Sequence, residues 1–352
     1  MPGIEDRLTT AWAQRIVDRH AQNVVVSGIK MNSVDVGTTT RVRVTVDHNG
    51  PQTLPRRWFI KAPSKLWRVR MITALPRLLQ TEARFYQELV HFVPLTCPTV
   101  LSTEQKWGQG TTVVLADVTE FGATAGSPCD ALTRTQAAAV VERLARLHAR
   151  FWHKVGLDSA DDWLAGSMRR LEDRLGSALA VPLMRRGLSL SGSMVPADLN
   201  PSALIYAGHR RQAMKFLETG PLTLVHHDLH PGNFFWRESQ PGFLDWQLVR
   251  IGEGIGDVAY FLATALTPET RRENELDLLK RYQQVLTGEG VAAPDVASLL
   301  KRYRVHLAYP FEAMVVTLAV GGMMDQGTNL ELIRRATAAV MDHNTYSGFD
   351  WN

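Results

Sequence analysis

Hydrophobic and polar positions change their rhythm once along this chain. Leu8, Trp12 and Ile16 recur at helical spacing within Ile4 to Arg19, which predicts an amphipathic helix. A strand rhythm follows. Asn23 to Ile29 is apolar and β-branched, and Thr40 to Val46 alternates strictly between polar and apolar, as a strand with one buried face does. Asp47-His48-Asn49-Gly50 reads as a turn and Arg57-Trp58-Phe59-Ile60-Lys61 as the next strand. Helical spacing returns over Leu78 to Phe92, and Thr99 to Ser102 and Thr111 to Leu115 are two further strands. This predicts a mostly antiparallel, β-rich lobe over 1–116.

After about residue 117 the rhythm is helical. Thr133-Arg134-Thr135-Gln136 has the form of a capping box, in which the Thr and Gln side chains satisfy free amides at a helix start, and the helix should run to about Trp152. Helical segments dominate beyond it, with one interruption. Leu222 to Val225 reads as a strand, followed by a loop and a hairpin. The hairpin strands are predicted at Phe234 to Arg237 and Phe243 to Asp245, with Glu238-Ser239-Gln240-Pro241-Gly242 as the turn. The fold class expected is α+β: a small β-rich lobe (1–116), a larger helical lobe (117–352), a hinge near Ala116 to Thr119, and a ligand cleft between the lobes.

Composition refines this picture without changing it. A chain of 352 residues can bury a sizeable core. Its net charge of +4 is too mild to argue for nucleic acid, and Arg185-Arg186 and Arg210-Arg211 read as solvated helix faces. Cys97 and Cys129 read as unpaired, reduced thiols. Met1 to Arg19 carries Glu5, Asp6 and Arg7 and no apolar core, so it is no signal peptide. Ala313 to Met324 is too short to span a bilayer. A cytoplasmic protein, with no membrane and no nucleic acid as partner, is expected.

The interruption carries the candidate chemistry. Val225-His226-His227-Asp228-Leu229-His230-Pro231-Gly232-Asn233 places an Asp and an Asn five residues apart, and Asp245 lies twelve residues beyond the Asn. Phosphoryl transfer from ATP needs such groups: one carboxylate to orient or deprotonate the attacking hydroxyl, and an amide oxygen with a second carboxylate to hold the metal. Asp228 is the candidate catalytic carboxylate. Asn233 and Asp245 are the candidate Mg2+ ligands. The three histidines around Asp228 also permit a metallohydrolase reading, since histidine is the commonest transition-metal ligand.

At these residues the chain resembles the kinase-like small-molecule phosphotransferases, the superfamily of aminoglycoside phosphotransferases and choline kinases. The nearest likeness is to the ecdysteroid-kinase-like branch, through Asp245-Trp246-Gln247-Leu248-Val249, Gly256-Asp257-Val258-Ala259-Tyr260-Phe261-Leu262 and Leu144-Ala145-Arg146-Leu147-His148-Ala149-Arg150-Phe151-Trp152. The resemblance implies a two-lobed kinase-like fold with ATP and Mg2+ as cofactors. It implies that His226 anchors the catalytic loop and that Lys61 meets the α- and β-phosphates, held by Glu82 in Thr81-Glu82-Ala83-Arg84-Phe85-Tyr86. Lys65 is a rival for Lys61.

Two stretches depart from the family pattern. Val34-Asp35-Val36-Gly37-Thr38-Thr39-Thr40 holds a single glycine, so Gly37, Thr38 and Thr39 would have to serve as the phosphate loop. Ala116-Asp117 stands where members commonly have Glu-Asp, so adenine would be met mainly by the backbone from Leu115 through Asp117 to Val118. Asp257 is expected to cap a helix over Val258 to Leu266 and brace the catalytic loop.

The function expected is transfer of phosphate from ATP to a hydroxyl of a small molecule. The alternative is a non-catalytic nucleotide-binding regulatory protein with the same fold. The acceptor side, roughly 150–220 and 300–345, is not strongly acidic: residues 151–220 hold nine Lys/Arg against seven Asp/Glu. That balance suits a bulky, weakly charged alcohol better than a polycation.

Overall fold

The computed structural model describes residues 4, 7–37, 39–64, 78–106, 110–153, 162–165 and 167–351. Thr38 and Lys65 lie outside the described residues. The N-terminal part holds α1 (Thr10–Val17), β1 (Val26–Val36), β2 (Thr39–His48), β3 (Arg57–Pro63), α2 (Leu78–Arg84), β4 (Val100–Lys106) and β5 (Gly110–Ala116). Its five strands form an antiparallel sheet in the order β1-β2-β3-β5-β4. Helix α1 starts later than expected because Thr9 caps it, accepting from Trp12 N at 3.2 Å.

Alternation along β2 and β3 sorts the residues onto two faces. Val42, Val44, Val46, Trp58 and Ile60 pack with Trp12 and Ile16 of α1 on the outer face. Arg41 pairs with Lys61 and Arg43 with Phe59, so these four side chains leave the opposite face, toward the helical part. Strand β1 runs further than the sequence suggested. Val36 pairs with Thr40, so the strands flank Gly37 and Thr39 closely.

The helical spacing of 78–92 is α only as far as Arg84. Phe85–Leu89 is a π turn and Val90–Phe92 a 3-10 turn. The wider turn lets Glu82 face Lys61 while Phe85 stacks on Trp246, with ring centroids 4.0 Å apart.

The C-terminal part is mostly helical. It opens with β6 (Thr124–Ala125), α3 (Arg134–Phe151), α4 (Asp162–Ala165), α5 (Ser167–Ser191), α6 (Asn200–Gly208) and α7 (Arg210–Phe216). Strands β7 (Leu222–Val225), β8 (Phe234–Arg237), β9 (Gln240–Phe243) and β10 (Arg250–Glu253) interrupt the helices. Helices α8 (Gly254–Ala265), α9 (Pro268–Gly288), α10 (Val296–His306), α11 (Ala308–Val320) and α12 (Gln326–Asp342) complete it. The capping box at Thr133 and Gln136 forms as the sequence suggested, with N···O distances of 3.0 and 3.3 Å. A continuous apolar core runs from Val113 and Leu115 of β5 through Phe85 into α3, α8 and α11, joining the two parts. Among the described residues no helix is long and apolar enough to cross a membrane.

Three expectations need correcting. The hairpin turns at Glu238-Ser239, since Arg237 pairs with Gln240, and its second strand is Gln240–Phe243. Gly242 is therefore a strand residue and not a turn residue: a Cβ there would lie 2.0 Å from the Phe235 ring. Helix α8 begins at Gly254, so Asp257 sits inside its first turn and does not cap it. Arg210 is not a solvated residue. Its Nε donates to Glu312, which is 4 % exposed and also accepts from Tyr206 Oη, because a buried carboxylate requires donors and an opposite charge.

Candidate active site

Lys61, on the inner face of β3, is buried between two carboxylates. Its Nζ lies 2.8 and 3.0 Å from the oxygens of Glu82 and 2.9 Å from Asp245 Oδ1. Burial alone lowers a lysine, but the charges of Asp245 and Glu82 outweigh it and hold the ammonium above its ordinary range. Burial pushes the Glu82 carboxyl up to about 7 against the pull of Lys61. Asp245, raised by burial, is pulled below the usual carboxylate range chiefly by Lys61. With Glu82 ionised, the three groups together carry one excess negative charge.

The catalytic loop hangs from β7 and is held by its own histidine and by α8. Burial lowers His226, outweighing the Asp257 charge, so the imidazole is neutral. Its Nε2 is then the donor to Leu244 O at 2.8 Å, and Nδ1 accepts from Asp228 N at 3.3 Å. This links the start of the loop to the residue before Asp245. Asp257 accepts from the backbone N–H groups of His226 and His227 at 2.7 and 2.8 Å, and His148 Nε2 stands 3.3 Å from it. One turn along the same face of α8, Tyr260 Oη donates to Asp228 Oδ1 at 2.7 Å. Burial and the nearby Asp228 charge raise the Tyr260 hydroxyl well above its usual range, which keeps it a donor.

Asn233 donates its amide to Asp228 O at 2.8 Å and Oδ2 at 3.2 Å. The residue also lines the cleft. Asp245 follows at φ 62°, a left-handed conformation that costs energy for a non-glycine residue and turns its carboxylate toward Lys61. Asp245 Oδ1 is buried, with the Lys61 ammonium 2.9 Å away. The Asp245 carboxylate and the Asn233 side chain line one cleft, and an oxygen-donor set of that kind fits a hard cation such as Mg2+. The histidines diverge. His227 stacks on Tyr309 at 4.1 Å, and His230 Nδ1 accepts from Gly232 N at 3.1 Å. Among the described residues, no group of three or more His, Cys, Asp or Glu is gathered to hold a metal.

These side chains border an open cleft lined by Lys61, Asn233 and Asp245 at one end and by Phe59, Leu115, Ala116, Val118 and Leu244 at the other. Asp117 lines it too, but its polar groups are engaged. Its N–H donates to Arg57 O, its C=O accepts from Glu120 N, and its carboxylate accepts from Thr119 and Arg43. At the turn between β1 and β2, Gly37 N donates to Thr39 O and Gly37 O accepts from Ser64 Oγ, both at 3.0 Å. Thr39 sits on the cleft face, paired with Pro63.

Residues 49–294 match the phosphotransferase enzyme family. The chain belongs to that family. The match is to the family as a whole and singles out no branch, the ecdysteroid-kinase-like one included. Among solved structures, this phosphotransferase is similar to the choline kinase LicA from Streptococcus pneumoniae, at 13 % identity over 97 % of this chain and 100 % of that one, with a TM-score of 0.53. It is similar to a choline kinase from Cryptosporidium parvum Iowa II, at 9 % identity over 96 % and 95 %, TM-score 0.58. It is also similar to wild-type aminoglycoside 2'-phosphotransferase-IIIa in its GDP complex, at 14 % identity over 94 % and 99 %, TM-score 0.51. At these identities the likeness is one of fold. No curated protein matches the chain by sequence.

Several residues of this phosphotransferase site escaped the sequence reading. Tyr260 was signalled by its place three residues after Asp257, on one helix face. Arg41 and Arg43 were signalled by the alternation of β2, which puts them on the face shared with Lys61. Tyr309, one of the aromatic residues expected on the acceptor side, comes from α11 and stacks on His227 of the catalytic loop. Trp246 is fully buried against Phe85 and belongs to the core.

Proposed function

We propose that the protein is an ATP- and magnesium-dependent kinase that moves the terminal phosphoryl group of ATP to a hydroxyl of a small molecule. The observation that carries this reading is the half-buried Asp228 carboxylate, held by Tyr260 and Asn233, on a loop followed by the β8–β9 hairpin, whose second strand leads to Asp245 beside the Lys61–Glu82 pair. Residues 1–116 and the cleft would take the nucleotide, and 117–352 would supply the catalytic loop and the acceptor site.

Adenine would lie between Phe59, Leu115, Ala116, Val118 and Leu244, with Asp117 acting as a strut of the hinge. Gly37, Thr38 and Thr39 would flank the phosphates. Lys61 would leave Asp245 for the α- and β-phosphates while Glu82 keeps it in place. Asn233 and Asp245 would hold a magnesium ion, which when bound supplies neutralising charge at the phosphates. Asp228 accepts a hydrogen bond from the acceptor hydroxyl and aims its oxygen at the γ-phosphorus. The new O–P bond forms as the bond to the β–γ bridging oxygen breaks. ADP leaves, and the hydroxyl proton passes to Asp228 and then to solvent. The acceptor would approach past the stacked His227 and Tyr309 rings, an aromatic wall suited to a bulky, weakly charged alcohol.

A panel of small alcohols, offered with ATP or GTP, tests the reading. Nucleoside diphosphate release and mass spectrometry of the alcohols give the result. A phosphorylated alcohol supports it. Protein that binds nucleotide yet phosphorylates none of the panel, and whose hydrolysis no alcohol changes, counts against it.

A further inference from the structure

Among the described residues of the turn between β1 and β2, Gly37 has no backbone donor free for a phosphate. It spends its N–H on Thr39 O and its C=O on Ser64 Oγ, and Val36 is already paired with Thr40. A phosphate cradle normally presents several unspent backbone N–H groups. A side-chain donor at that end of the cleft would add to what the turn presents.

Arg41 stands there. It is opposite Lys61 in the β2–β3 register, so both side chains leave the same face, and it lines the cleft with Lys61, Asn233 and Asp245. Its Nη2 lies 2.6 Å from Asp35 Oδ2, whose side chain is 61 % exposed. The same Nη2 lies 3.0 Å from where a Cβ on Gly37 would sit, so the guanidinium reaches the turn itself. Its Nε is buried with no hydrogen-bond partner among the described residues. Arg41 thus has a forked donor, a spare buried N–H and a carboxylate partner set largely in water. An ion pair of that kind is weak and readily exchanged.

We propose that Arg41 is a second polyphosphate ligand beside Lys61, and that Asp35 is the counter-ion it releases when nucleotide binds. The planar guanidinium can meet two phosphate oxygens at once, which adds to what the turn presents. Asp35 then competes with the nucleotide for Arg41. The inference rests on the reading that the cleft takes a nucleoside triphosphate.

The test is calorimetric binding of ATP, ADP and adenosine to the parent, Arg41→Met, Asp35→Asn and the double variant. Arg41→Met should weaken ATP by about ten- to hundredfold, as loss of a charged hydrogen-bond donor does. ADP should weaken less, and adenosine by less than about twofold. Asp35→Asn should tighten ATP, because the competitor is gone, and should have no effect once Arg41 is Met. Asp35 is exposed, so its variant folds and keeps the test decisive even if Arg41→Met is damaged. If the parent binds ATP and Arg41→Met binds it as tightly, or Asp35→Asn weakens it, the inference is overturned and the kinase reading stands. If the parent binds no triphosphate, both fall.

Discussion

Lys61→Met keeps the length and apolar stem of the side chain and removes the ammonium, leaving Glu82 and Asp245 facing each other. The Lys61 and Glu82 side chains are only 5 % and 0 % exposed, so water cannot replace the lost charge. Removing one partner of a buried pair costs about 3–5 kcal/mol. The pH dependence has a definite sign. Burial raises Glu82 above its usual value even with Lys61 present, and without the ammonium the rise is larger. An acid whose folded-state pKa is raised contributes stability that is present below its unfolded pKa and is lost as pH climbs through the folded value. Near pH 5 the variant can take up a proton on Glu82 and loses the least, whereas near pH 9 it should carry the full cost of about 3–5 kcal/mol. Urea unfolding of parent and variant at both pH values, with chelator and without nucleotide, measures this. A difference below about 1 kcal/mol near pH 9, or the same difference at both pH values, would refute the buried triad.

Tyr260→Phe removes the 2.7 Å hydrogen bond to Asp228 and nothing else of size. Turnover should fall by about tenfold or more, with ATP affinity unchanged by calorimetry and folding stability nearly so. Asp257→Asn puts an amide N–H against one of the two backbone donors it now accepts from, so urea unfolding should show a loss of about 1–3 kcal/mol. Turnover should fall with it, and a variant as stable and active as the parent would remove Asp257 from the bracing of the loop.

The parts of this molecule legible in its sequence are those set by local pattern. Thr40 to Val46 announced a strand by alternation, Thr133 and Gln136 announced a helix start by capping chemistry, and the Asp228, Asn233 and Asp245 spacing announced one shared site. What stayed hidden depends on contacts across the chain. Asp245 adopts its left-handed backbone because Lys61 and the His226–Leu244 link surround it, and nothing in Leu244-Asp245-Trp246 marks that. Gly242 looked like a turn residue because glycine serves turns, but the Phe235 ring lying on it is the reason it is there. The single glycine at residue 37 left both a phosphate loop and a plain hairpin turn open, and the pairing of Val36 with Thr40, set by the register of the whole hairpin, could not be read from it.

The central claim is that Asp228 orients an acceptor hydroxyl for phosphoryl transfer, and Asp228→Asn tests it most directly. The substitution is nearly isosteric: its one amide oxygen can keep the Tyr260 hydrogen bond, and Asn233 keeps its bond to the backbone carbonyl of residue 228. Phosphorylated product should be followed for parent and variant with the same alcohol and saturating ATP, alongside ATP affinity by calorimetry. The account predicts unchanged ATP affinity and turnover lowered by about a hundredfold or more, the scale of a lost general base. Turnover within a few-fold of the parent would contradict it.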